Sequence, residues 1–79
     1  MSLPPYVVVL VTGDVTYFAF RSDYKDLASW MLKGLAMSYA ATGTHGKGSL
    51  VYQPSNGSST TIETLDFLWL LLLAAPQGL

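Results

Sequence analysis

The sequence predicts a two-layer α+β fold, in which an antiparallel sheet of three or four strands carries two helices on one face. Two short runs rich in β-branched and aromatic residues, 6–12 and 15–20, have the length and composition of strands. An amphipathic stretch at 24–41 is typical of a helix packed on a sheet. Residues 67–75 are all apolar and predict a second helix without a polar side. The expected order is β-β-α-β-(β)-α, in one domain spanning residues 1–79.

The first two strands are expected to form a hairpin. Gly13 and Asp14 lie between them and supply the residue types of a tight turn, since glycine adopts positive φ at no steric cost. Both runs are apolar at consecutive positions, whereas a sheet with one solvated face alternates apolar and polar residues. We therefore expect both faces of the sheet to be covered, and two helices cover only one of them.

The first predicted helix has a wide apolar arc. Ser22 or Asp23 is a favourable N-cap, and Gly43 is a favourable C-terminal stop. Gly34, in the interior, costs about 1 kcal/mol relative to alanine; it is either a site of close backbone approach or a tolerated defect. Trp30 and Met37 flank the predicted solvent side, and the apolar arc is wider than one sheet face needs. That solvent side is defined by a polar stripe of Ser22, Asp26, Ser29 and Lys33.

The second half of the chain contains a short strand at 50–53 and a second helix. Residues 58–62 are either a polar edge strand or a linker. Thr60, followed three residues later by Glu63, resembles a capping box, so the helix is expected to begin near Thr61 and to end near residue 75.

The composition favours assembly over a self-sufficient core. A chain of 79 residues buries only about 60–65% of its unfolded surface. It is 51% apolar and 11% charged, against about 25% charged residues in an average domain. It has no cysteine, which excludes disulfides and cysteine zinc sites, and a single histidine, which argues against a histidine-rich metal cluster. We therefore expect a homo-oligomer, most simply a dimer.

Several functional classes fit the sequence poorly. The net charge is −1 and the four basic residues are dispersed, whereas nucleic-acid binding uses clustered cations. The apolar C-terminal run is about half the ~20 residues that span a bilayer, so a membrane location is not expected. The N-terminus shows no signal-peptide pattern, which favours a cytoplasmic location.

No motif predicts catalysis, a metal or a cofactor, and we do not expect an enzyme. In the loop at 43–49, Gly46 and Lys47 are followed by Gly48, not by the Ser or Thr of a phosphate-binding P-loop. A looser anion site at Lys47 is the alternative to a solvated loop. His45 has no partner nearby in sequence. Asp66 is expected near the N-terminus of the last helix, where a carboxylate is favourable, or as a buried acid in a pocket.

Two functional hypotheses follow. The first is a structural or interaction module that self-associates through the free sheet face or the last helix. Its predicted interface residues are Val7, Val9, Phe18, Phe20, Trp69 and Leu72. The alternative is a binding module for a small apolar ligand or a partner protein. Its predicted binding residues are His45, Lys47, Trp30 and Met31.

Overall fold

The predicted α+β fold is confirmed by the computed structural model, which describes residues 3–55 and 57–74, with side chains to residue 70. A four-stranded antiparallel sheet carries both helices on one face, in the order β-β-α-β-β-α. The elements are β1 Tyr6–Thr12, β2 Val15–Ser22, α1 Lys25–Ala41, β3 Lys47–Tyr52, β4 Thr60–Asp66 and α2 Phe67–Ala74.

The strands are arranged in the order β2-β1-β3-β4, and every neighbouring pair is antiparallel. β1 is central because it pairs with β2 through the hairpin and with β3 through contacts distant in sequence. The connection from β2 to β3 passes through α1 and crosses over β1. As a result β2 and β4 are the two edges of the sheet.

A bulge in each edge strand changes which side chains face the helices. Val8 pairs with Phe20 and Val9 with Phe18, so Ala19 is an extra residue in β2. Strict alternation would place Tyr17 and Phe20 on opposite faces, yet both pack against the core under the helices. The other bulge, in β4, lies between the partners of residues 50 and 51.

The core lies between the sheet and α1 and is closed at one end by α2. Leu32 and Leu10 approach so closely over β3 that a Cβ on Gly48 would lie 2.7 Å and 3.0 Å from their terminal methyl groups. The ring of Phe67, at the start of α2, stacks on Tyr39 with 5.3 Å between centroids. The buried cluster consists of Val8, Leu10, Ala28, Leu32, Ala36, Ala40, Leu50 and Phe67.

The expectations for the cap and the solvent side of α1 are partly wrong. The N-cap is Tyr24, without a side-chain cap, and Ser22 is buried, where its Oγ accepts a hydrogen bond from the Tyr24 N–H. Ser29 also faces the protein, because its Oγ donates to Glu63 Oε1 on β4 at 3.0 Å. The sheet side of α1 is instead a row of residues at four-residue intervals, Ala28, Leu32, Ala36 and Ala40.

The predicted start of the second helix is also wrong. Residues 60–66 are a strand, and Glu63, which was expected to complete a capping box, pairs with Leu50 of β3. Pairing with β3 satisfies the backbone here, and the β-branched residues of this segment favour it. The true N-cap is Asp66, whose Oδ1 accepts from the Leu68 N–H at 2.9 Å. The expected end near residue 75 lies outside the described residues.

Two glycines should respond to alanine in opposite directions. Gly46 has φ +153°, and a Cβ there would collide with the backbone carbonyl of Val11. Gly46→Ala should therefore lower the free energy of unfolding by about 1–3 kcal/mol. Gly34→Ala, where a Cβ meets nothing within 4 Å, should raise it by about 1 kcal/mol. Urea denaturation in dilute solution measures both, and shifts of the same sign would contradict this assignment.

The cap of α2 gives a second prediction. Asp66→Ala removes the acceptor of the Leu68 N–H and should lower the free energy of unfolding by about 1 kcal/mol. Asp66→Asn keeps a side-chain acceptor and is the matched control. Equal losses in the two variants, measured by urea denaturation, would show that the carboxylate does not act as a cap.

Candidate interaction surface

The side of α1 that points away from the sheet is apolar. Five residues with alternating three- and four-residue spacing form this side, which we call the outer face of α1: Leu27, Trp30, Gly34, Met37 and Ala41. Trp30 is 72% exposed and Met37 is 54% exposed. Such spacing is the pattern of a helix that packs against another helix along one seam. No other part of the described chain covers these side chains.

The outer face exists because the sheet side of α1 is built from small residues. Alanines allow the helix to lie close to β1 and β3, with Leu32 as the one large side chain fully buried there. Leu35 and Tyr39 pack at the margin of the core, and Trp30 and Met37 are left on the outside. Full burial of a side chain such as Met is worth about 1.5–3 kcal/mol, and the isolated chain does not gain this at Met37.

A shallow groove lies along one border of the outer face, beside Gly34. It has a volume of about 270 Å³, is open to solvent, and is lined by Trp30, Met31, Gly34 and Leu35. The groove exists because Gly34 has no side chain and nothing lies within 4 Å of where its Cβ would be. Trp30 and Met31 were predicted as binding residues. Gly34 and Leu35 were not predicted as binding residues. The available signal was the seven-residue spacing from Leu27 to Gly34, which places these two residues on one side of the helix.

The second uncovered surface is the sheet face opposite the helices. Phe18 is 67% exposed there and lies across from Val9. We expected both faces of the sheet to be covered. The described chain covers only the face on which the two helices lie. The open face carries both apolar and polar side chains, and an antiparallel sheet can expose such a face to water. Its polar positions, from the register of the strands, are Thr16, Arg21, Lys47, Ser49, Thr61, Thr64 and Asp66.

The six predicted interface residues differ in the surface they expose. Phe18 and Trp69 are exposed, at 67% and 57%. Val9 is partly buried, and Phe20 packs against the core. Val7 is only 1% exposed. The side chain of Leu72 lies outside the described residues. The role of this set in an interface stays a prediction.

Arg21 explains the burial of Val7. The two residues are paired across β2 and β1. The Arg21 guanidinium donates to the Pro4 carbonyl at 3.1 Å and to Gln53 Oε1 at 3.0 Å. Because these bonds hold the arginine across the end of the sheet, its aliphatic stem can cover Val7. The Arg21 guanidinium is therefore engaged in hydrogen bonds that hold the N-terminal segment and residue 53 together.

His45, in the loop before β3, and Lys47, the first residue of β3, do not join Trp30 in one site. Trp30 lies eleven residues before the end of α1, which corresponds to about 16 Å along the helix axis. Lys47 is paired with Asp66 across β3 and β4. Because the Asp66 carboxylate caps α2 here, a free anion would meet a negative charge beside Lys47. Among the described residues, no group of three or more His, Asp or Glu side chains is arranged to hold a metal ion.

A pair of tyrosines links the hairpin to α1. The hydroxyls of Tyr17 and Tyr39 are hydrogen-bonded at 2.8 Å. The hydrogen bond with Tyr17 raises the pKa of Tyr39 because it stabilises the neutral phenol, with smaller contributions from burial and from the neighbouring phenol. This hydrogen bond connects β2 to α1, beside the Phe67 ring that stacks on Tyr39.

Comparison with protein-family models, curated proteins and solved structures finds no match to this chain. Within the described part of the chain, neither helix combines the length and apolar character needed to cross a membrane. The functional inference therefore rests on the surfaces described above.

The tyrosine pair predicts a pH dependence. Because the pKa of Tyr39 is raised in the folded state, its stabilising contribution is fully present below the unfolded pKa of about 10. It is lost as the pH rises through the higher folded pKa. Tyr17→Phe removes the hydrogen bond and should lower the pKa of Tyr39 in a titration of tyrosine absorbance. Tyr24→Phe, at an exposed position, is the control, and identical curves for the remaining tyrosines would contradict the assignment.

Proposed function

We propose that this chain is an interaction module that self-associates through the outer face of α1. The observation that carries the proposal is the 72% exposure of Trp30 on an apolar helix side. Tryptophan and methionine are enriched in protein interfaces, and tryptophan is frequent among the residues that contribute most to binding. No charged residue belongs to the outer face, so burial against a partner desolvates no ion there.

The two edge strands of the sheet are poor alternative sites for self-association, which supports the proposal. An unpaired edge strand is the usual template for adding a strand from another chain. β2 carries a bulge at Ala19, and β4 carries one at Ile62. Bulges twist an edge and interrupt its ladder of donors and acceptors, which is how natural sheets avoid such pairing.

The groove at Trp30 and Met31 favours one second candidate, a small apolar ligand. Its volume of about 270 Å³ lies just below the roughly 300–1,000 Å³ of typical ligand pockets. Such pockets also enclose most of their ligand, whereas this groove is open. An open groove of this size suits one large side chain of a partner protein better than a whole ligand.

Absolute mass in solution tests the proposal. Light scattering after size-exclusion chromatography should give the mass of two or more subunits, with dissociation on dilution. Trp30→Ser should weaken association by at least about 2 kcal/mol, or about thirtyfold in Kd. Phe18→Ser, a similarly exposed aromatic on the open sheet face, is the matched control. A wild-type monomer at high concentration would refute self-association, and loss of association only in Phe18→Ser would move the contact to the sheet.

A further inference from the structure

We propose that the outer face of α1 is covered by α1 of a second copy of this chain, the two helices crossing antiparallel at Gly34 about a two-fold axis. This inference rests on the proposed self-association and names its geometry. It follows from the order of side-chain sizes along the outer face, from the space at Gly34, and from the exposed area.

The outer face is complementary to itself about Gly34. A two-fold axis at this residue brings together positions equally far on either side of it. Trp30, four residues before the axis, then lies opposite Ser38 of the second copy and next to its Met37, three residues after the axis. Leu27 lies opposite Ala41, each seven residues from the axis. Contacts between methionine sulfur and an aromatic ring are favourable.

Side-chain size along the outer face matches the spacing of crossed helices. Two helices that cross at an angle are closest at the crossing point and diverge on both sides. The outer face has its smallest residue, Gly34, at the centre and the large Trp30 and Met37 on either side. Apart from the two adjoining residues and the backbone of α1 itself, no atom of the described chain lies within 4 Å of a Cβ built on Gly34, so the backbone there is open to a second helix.

The exposed area reaches the lower limit for a specific interface. Tyr24, the N-cap of α1, is 71% exposed and lies three residues before Leu27. Since aromatic side chains of this size carry about 150–250 Å² each, Tyr24 and Trp30 offer about 300 Å² together. Leu27 and Met37 raise this to roughly 500 Å² per partner, or about 1,000 Å² over both, which is the least expected of a biological interface and less than the ~800 Å² per partner of a standard one. The groove walls at Met31 and Leu35 and the polar rim supply further area.

A second copy is favoured over a different protein by chemistry as well as shape. The five residues of the outer face contain no ionisable group, and the nearest charges, Asp26 and Lys33, lie at its border with opposite signs. There is no charge pattern for an oppositely charged partner to recognise. The same surface supplies both the projecting Trp30 and the space at Gly34, so it needs no other surface to complete it.

Single-cysteine cross-linking tests the crossing point. The natural chain has no cysteine, so Gly34→Cys introduces one thiol on the proposed axis. A disulfide requires Cα atoms within about 7 Å, which the crossing provides only near residue 34. Under mild oxidation Gly34→Cys should form a covalent dimer with at least tenfold higher yield than Thr16→Cys, an exposed control on the open sheet face.

A second variant separates the interface from the fold. Gly34→Leu places a side chain where the described chain has open space, so the helix content of the dilute protein should be retained and its urea midpoint should not fall below that of the wild type. The same side chain separates the two helices, and Kd from light scattering should rise at least tenfold. The proposal requires both this loss and the cross-link at Gly34→Cys.

The outcomes distinguish the inference from the proposed function. A wild-type monomer refutes self-association and this geometry with it. A wild-type dimer that Gly34→Leu leaves intact, or that does not cross-link at Gly34→Cys above the Thr16→Cys control, overturns the helix crossing. Self-association then stands and uses another surface.

Discussion

The close packing of α1 on the sheet determines most of this structure. Three alanines and Leu32 face β1 and β3, and Gly48 leaves the space that Leu32 and Leu10 fill. A helix that approaches a sheet through small residues buries little of its own apolar bulk. The chain therefore builds its core from the strands, from Leu32 and from Phe67 of α2, and leaves the tryptophan and a methionine of α1 exposed.

The two edge strands complete this arrangement. The bulge at Ala19 turns both Tyr17 and Phe20 toward the helices, where Tyr17 meets the hydroxyl of Tyr39. The bulge at Ile62 interrupts the other edge. Both edges of the sheet are thus interrupted, while Trp30 and Met37 stay exposed on the outer face of α1.

Most of the charged and polar groups with defined partners serve the fold. Asp66 caps α2, Glu63 accepts from Ser29 between β4 and α1, and Arg21 ties the N-terminal segment to Gln53. These bonds hold elements together at points where the sheet and helices meet. Arg21, Glu63 and Asp66 are therefore engaged in contacts within the fold.

Local chemistry in the sequence determined the elements: the β-branched runs on either side of Gly13, the amphipathic stretch of α1 and the apolar C-terminal helix all formed. The sequence also pointed to Trp30 and Met31 as candidate binding residues, because α1 has more large apolar residues than one sheet face can cover. Both line the groove, and their role in binding stays a prediction. The start of α2 was decided by tertiary structure, since pairing of β4 with β3 outweighed the capping signature at Thr60. The bulge at Ala19 and the burial of Ser22 were also decided by tertiary structure. Each depends on which strand or helix face lies opposite, and that is set by contacts between residues far apart in the chain.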